Sequence, residues 1–137
     1  MTIRKISEDD ERTGKFIRES FLAHAAGSGV SLNYDEFCFI AENDREEILG
    51  AVTGRAYYNE VHIGDLIVDE NPRGQNIGSR LVKTVEDAYR NKGYEKITLT
   101  TFGFQAPGFY EKRGYSAEFV REDGDPRLSK FFFVKKL

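Results

Sequence analysis

The sequence predicts an α/β fold: a mixed, mostly antiparallel central sheet flanked by helices on both faces. Three observations predict it. Short segments such as Phe37 to Ala41, Ile48 to Tyr58 and Val61 to Val68 read as strands bounded by turn residues. From Gln75 to Asn91, apolar residues recur at Ile77, Leu81, Val85 and Ala88, the spacing of an amphipathic helix. The elements run strand, helix, three strands, helix, strand, helix, two strands, an order that packs naturally as helices layered on a sheet.

Thr2 to Ile6 alternates and is expected to be a short strand. Ser7 offers an N-cap, with Glu8, Asp9 and Asp10 in the first turn, where the helix dipole favours acids. Phe16, Ile17, Phe21, Leu22 and Ala25 then follow at helical spacing until Gly27-Ser28-Gly29 breaks the pattern. Asn43-Asp44-Arg45 turns the first two strands of a meander into a hairpin, and Asn59-Glu60 leads into the third. Pro72 ends that strand, since proline has no N–H for a ladder. Lys92-Gly93 closes the long helix. Glu95 to Phe102, rich in β-branched residues, is a strand, and Val61 to Phe102 is expected to form a right-handed parallel crossover. A short helix over Ala106 to Lys112 ends at Gly114, and Tyr115 to Arg121 and Ser129 to Lys136 complete the sheet.

Composition narrows the function. With 137 residues the chain suits one domain, 1–137, with one core. Hydrophobic residues make up 39% and charged residues 31%, an ordinary globular balance that excludes disorder. The formal charge of −3, without a basic cluster, disfavours a nucleic-acid partner. No apolar run has the length of a membrane span, and the first residues lack a signal-peptide core, so a cytoplasmic location is expected. The single cysteine, Cys38, rules out an internal disulfide and a cysteine-rich metal site, and reads as a buried strand thiol. The aromatic run Phe131-Phe132-Phe133 offers more apolar area than one buried face needs, which points to a homodimer.

The most informative stretch runs from Asp65 to Ser79, where a strand enters a glycine-bearing turn that opens the long helix. The first N–H groups of a helix have no internal partners, and the dipole behind them favours an anion. Gly74 and Gly78 would let phosphates approach the backbone; Ser79 offers a hydroxyl and Arg73 a charge. Neither a P-loop nor a dinucleotide-binding glycine fingerprint is present, which disfavours a nucleotide-binding α/β domain.

Arg73-Gly74-Gln75-Asn76-Ile77-Gly78 resembles the acetyl-CoA motif of the GNAT superfamily, [RQ]-x-x-G-x-[GA]. Asn76 stands where the family has its first glycine, and Asn is the side chain most tolerant of left-handed geometry. Leu66-Ile67-Val68 resembles the family's bulged strand, whose backbone pairs with the pantetheine arm. Ala106-Pro107-Gly108-Phe109-Tyr110, continuing to Gly114-Tyr115, is similar to the family's A-x-x-F-Y-x-x-x-G-[FY] segment, and Thr101 to Pro107 resembles a bacterial subgroup. The resemblance implies an acetyl-CoA-dependent N-acetyltransferase acting on a primary amine of a small molecule or peptide. It places acetyl-CoA on Leu66, Ile67, Val68 and Arg73 through Ser79, with Tyr110 donating to the departing thiolate and no metal. A non-catalytic CoA-binding module with the same fold is the alternative, because a fold does not by itself fix a function.

At reference values, a phenol of pKa roughly 10 transfers its proton to a thiolate of roughly 8.5 at a cost of about 2 kcal/mol. Tyr110 is therefore expected to act as a hydrogen-bond donor unless its pKa is lowered. The attacking amine must lose a proton, and Asp65 is the first choice as base, with Glu60 and His62 beside it. His24 reads as a helix-end residue. Tyr57, Tyr58, Phe102 and Phe104 stand at strand ends, where a substrate or an aromatic core would use them.

Overall fold

A computed structural model describes residues 1–70 and 75–137. The chain forms two compact units, Met1–Asn33 and Tyr34–Leu137.

The first unit contains helix α1, Glu11–Gly27. Asp10, not Ser7, is its N-cap: the Asp10 carboxylate accepts from the Thr13 N–H at 2.9 Å and the Thr13 hydroxyl at 2.6 Å. These bonds hold the Asp10 carboxyl below its ordinary pKa. Ser7 instead makes a turn before the helix, accepting from Asp9 N–H through its hydroxyl and from Asp10 N–H through its carbonyl. At the other end Gly29, at φ +72°, lets the Val30 N–H return to the Ala25 carbonyl. Thr2–Ile6 is not a strand. Alternation marks which side chains would share a face, but a strand also needs a partner for its N–H and C=O groups, which alternation cannot supply.

The second unit is a six-stranded sheet in the order β1-β2-β3-β4-β6-β5. Its strands are β1 (Asp35–Glu42), β2 (Ile48–Tyr57), β3 (Glu60–Val68), β4 (Lys96–Phe102), β5 (Ser116–Arg121) and β6 (Lys130–Lys136). All neighbouring pairs are antiparallel except β3 and β4, the parallel crossover expected from the sequence. The crossover carries α2 (Ile77–Tyr89), and α3 (Pro107–Glu111) follows β4. Pro126–Leu128 adds a short 3-10 turn before β6.

Strand period fixes the two faces. Val61 pairs with Ile97 and Leu99 with Phe133, and all four are buried. They form one core with Ile77, Leu81, Val82, Val85 and Tyr89 of α2 and Tyr110 of α3. Gly54 is required here: a Cβ would stand 2.4 Å from the Phe37 ring and 2.1 Å from the His62 carbonyl oxygen.

One expectation changes on this sheet, and another gains detail. Phe37 and Phe39 turn to the core, so Cys38 between them projects from the opposite face and is exposed rather than buried. The Phe131–Phe133 run is likewise split: Phe133 is buried, while Phe132 pairs with Thr100 on the other face and packs on exposed Phe119 with ring centroids 5.6 Å apart.

Candidate active site

The site begins with one extra residue in β3. Thr53 of β2 pairs with Asp65 and Gly54 with Ile63, leaving Gly64 as a bulge. On the other edge β3 pairs with β4 only from Glu60–Lys96 to His62–Thr98. Beyond that rung β3 runs on to Val68 and β4 to Phe102 without meeting. The parted strands open a cavity of about 430 Å³. Its walls are Ile63 to Leu66 and Val68 of β3, Leu99 to Thr101 of β4, Gly78 of α2, and Gln105, Ala106, Phe109 and Tyr110 around α3. Backbone groups that a neighbouring strand would otherwise take are thereby offered to an extended ligand.

Tyr110 and Asp65 line this one cavity. The Tyr110 ring packs edge-on to Phe109 and Tyr115, and burial pushes its phenol above the ordinary pKa, with Arg113 pulling weakly the other way. A raised pKa keeps the hydroxyl protonated and suits it to donate a hydrogen bond. Asp65 is exposed, with the Thr53 hydroxyl donating to its carboxylate at 3.4 Å.

The predicted coenzyme residues divide by direction. Leu66 and Val68 face the cavity, whereas Ile67, paired with Ala51, projects outward and is exposed. Asn76 caps α2 in the left-handed region at φ 51°, ψ 39°, and makes no side-chain bond to the helix it starts. The helix begins at Ile77, the first of its apolar residues and two residues after the Gln75 expected from the sequence. Ile77 is buried in the core, so only its backbone is available to a ligand. Gly78 lines the cavity, and a Cβ there would lie 3.2 Å from Phe109 Cζ. The Ser79 hydroxyl accepts from Arg113 Nη2. Arg73 and Gly74 lie outside the described residues.

The remaining acid–base candidates stand on the sheet face opposite the core. The Thr98 hydroxyl donates to Glu60 Oε2 at 2.7 Å and meets His62 Nδ1 at 2.9 Å. Burial holds His62 below its ordinary pKa, with Glu60 opposing and Arg55 adding to the effect. Neither Glu60 nor His62 lines the cavity. His24 lies in the last turn of α1. Tyr57 and Tyr58 form one edge-on pair, and Phe102 and Phe104 a stacked pair; none of the four lines the cavity. Among the described residues no group of three or more His, Cys, Asp or Glu side chains is gathered to hold a metal, and no helix is long and apolar enough to cross a membrane.

Sequence reasoning passed over two residues that shape the site. Gln105 Oε1 accepts from the Phe102 N–H at 2.9 Å, tying down the turn between β4 and α3. Arg113 lies 3.6 Å over the Phe109 ring and bonds the Phe109 carbonyl, so it braces α3 against α2 through Ser79. An arginine four residues after an aromatic, one turn further on, is a readable signal for the second. Gln105 has no comparable local signature.

Comparison with known proteins agrees with this geometry. A model of the Acetyltransferase (GNAT) family matches residues 3–115. Blasticidin-S acetyltransferase of Streptomyces morookaense is 34% identical over 95 residues, which are 69% of this chain and 70% of that protein. The crystal structure of an acetyltransferase from Bacillus cereus superposes with a TM-score of 0.77 at 33% identity, covering 98% of both chains. A GNAT family acetyltransferase from Elizabethkingia anophelis, with acetyl-CoA bound, shares the fold at a TM-score of 0.63 and 19% identity, over 87% of this chain and 83% of that one. The chain belongs to the acetyltransferase (GNAT) family, the acetyl-CoA-dependent N-acetyltransferases.

Proposed function

We propose that this chain transfers the acetyl group of acetyl-CoA to a primary amine of a small molecule or peptide by direct attack on the thioester. The observation that carries the reading is the meeting of Asp65 and Tyr110 in one cavity, between strands that part just where an extended thioester arm would enter. In this reading the pantetheine arm runs along the backbone of Leu66 to Val68. The pyrophosphate sits on the N–H groups from Gln75 to Ser79, with Arg73 and Gly74 preceding them in the motif. The amine nitrogen attacks the carbonyl carbon, its proton passes to Asp65, and the carbon–sulfur bond breaks. Tyr110 donates to the leaving thiolate, and the fold supplies alignment.

Incubating the protein with acetyl-CoA and an unbiased amine panel, and reading free thiol, tests the proposal. Acetylation of at least one amine supports it; coenzyme binding with no transfer to any amine favours the non-catalytic module. A single N-acetyltransferase domain over 1–137 is part of the same reading, because the family match crosses both compact units. So is a cytoplasmic location, which suits an exposed free thiol at Cys38. A homodimer is proposed from Phe119 and Phe132, which extend an aromatic surface along the β5 edge. A monomer mass by light scattering at micromolar concentration overturns it.

A further inference from the structure

The sheet face turned away from the core carries an aromatic and basic patch beside the cavity. Thr100, a cavity residue, pairs with Phe132 of β6, and Phe132 pairs with Phe119 of β5. One rung further on, Phe102 pairs with Lys130, and Lys130 with Arg121. Side chains two residues apart on a strand share a face, so the two rungs form one surface. The ring contacts agree. Lys130 Nζ lies 5.3 Å from the centre of the Phe132 ring and 5.7 Å from that of Phe102, and Arg121 Cζ lies 5.5 Å from the centre of Phe132. Lys130 and Arg121 stand directly opposite one another on neighbouring strands, a like-charge pairing that destabilises a sheet. Lys96 and Lys136 are also opposite, but there Glu60 of β3 completes the rung. The Arg121–Lys130 rung ends on Phe102 instead, and neither cation makes an ion pair among the described residues. Aromatic faces hold the two cations in place but give their N–H groups no oxygen to bond.

The coenzyme reading leaves this face to the acceptor. α2 and Tyr110 of α3 pack on the core side of the sheet, the side from which a coenzyme on the α2 start enters. Asp65 and Thr100 are exposed cavity residues on the two parting strands, and Asp65 bonds Thr53, which pairs with outward-facing Cys38. An amine coming from the outer face therefore meets Asp65 on one strand and has Thr100 and the basic patch on the other. Resting on the function proposed above, we infer that the acceptor carries a carboxylate, which Lys130 and Arg121 hold while its amine meets Asp65. An acid on one side and two unpaired bases on the other match an acceptor charged at both ends. Lys130 stands in register two residues past Thr100, about 7 Å along the strand. A side-chain amine of an amino acid, or the N-terminus of a short peptide, spans that interval; an α-amine beside its own carboxylate does not.

Acetyl-transfer kinetics on acceptors paired as carboxylate and carboxamide test this on the intact protein: Nα-acetyl-lysine against Nα-acetyl-lysinamide, and triglycine against its amide. The expected result is a preference for the carboxylates of roughly ten- to a hundredfold in kcat/KM, carried by KM, the range for hydrogen bonds to charged groups. In the Lys130→Gln, Arg121→Gln double variant the preference should fall to within about threefold, because the charge-assisted bonds are gone. Lys130→Glu should reverse it, since the new carboxylate repels the acceptor's own. Relieving a like-charge pair should leave the double variant at least as stable as the parent, and loss of its fold overturns the account of these cations as unmet charges. Equal or better transfer to carboxamides by the parent overturns the inference and leaves the transferase reading intact. A preference that survives the double variant overturns the placement, and a changed mass by light scattering with that preference kept makes the patch a contact between copies. Transfer to no amine at all overturns both the inference and the function it rests on.

Discussion

The Thr98 hydroxyl fixes the tautomer of His62. A threonine hydroxyl has one hydrogen, and Thr98 gives it to the Glu60 carboxylate at 2.7 Å. At 2.9 Å from His62 Nδ1 it can then only accept. The neutral imidazole therefore carries its proton on Nδ1, and Nε2 is the nitrogen that takes up the next one.

The first prediction follows from the surroundings of that ring. Burial outweighs the attraction of Glu60, and Arg55 works in the same direction as burial, so the folded midpoint lies below the free value of about 6.5. The unfolded chain's imidazole therefore takes up a proton first as pH falls. This residue's contribution to stability is complete above about pH 6.5 and declines as pH drops from there through the folded midpoint. An NMR titration of His62 should give a midpoint below 6.5, and denaturant unfolding should show the parent losing stability relative to His62→Gln over that interval. A midpoint at or above 6.5 contradicts it.

Tyr110→Phe removes a hydroxyl and little volume. The ring keeps its contacts with Phe109, Tyr115 and Phe133, so the fold should hold. Coenzyme affinity should change little, because the proposed pyrophosphate contacts lie on α2. Single-turnover acetyl transfer should slow roughly ten- to a thousandfold, the range for losing one well-placed donor. Unchanged turnover with unchanged binding makes Tyr110 a packing residue only.

Asn76 holds φ 51° without any side-chain bond to its helix. Asn76→Gly should therefore keep coenzyme affinity and leave stability equal or higher by up to about 1 kcal/mol, since glycine adopts this region freely. Asn76→Ala should cost about 1–2 kcal/mol for forcing a Cβ into the left-handed region. Thermal unfolding and calorimetry read both. A large loss of affinity in Asn76→Gly means that the amide itself touches the coenzyme.

Glu86 is a buried carboxylate whose partners, Lys135 and the Tyr115 hydroxyl, come from β6 and the residue before β5. Glu86→Ala leaves the Tyr115 hydroxyl without its acceptor and Lys135 with the Arg113 carbonyl at 2.8 Å, and should destabilise the fold by about 2–4 kcal/mol, the lower end reflecting that remaining bond and the partial exposure of Lys135. Glu86→Gln, which can still accept from Tyr115, should cost less. A loss in the alanine variant below about 1 kcal/mol in urea unfolding contradicts this account.

Periodicity alone placed α2, because five of its buried residues are apolar at helical spacing and helix formation there is a local matter. The strand runs were equally legible, since β-branched and aromatic residues bounded by turns need little context. The two motifs around Asn76 and Tyr110 named the chemistry, and both proved to border one cavity or the helix start beside it. What the sequence could not decide was partnership. Thr2–Ile6 alternates like a strand and forms none. Cys38 looks buried until strand period turns it away from Phe37 and Phe39. The parting of β3 from β4 after His62 and Thr98, the Thr98–His62 tautomer lock and the bond from Arg113 to the Ser79 hydroxyl all join residues far apart in the chain. Local propensity acts over a few residues, whereas a ladder, a cavity or a shared proton exists only once tertiary packing has brought distant groups within bonding distance.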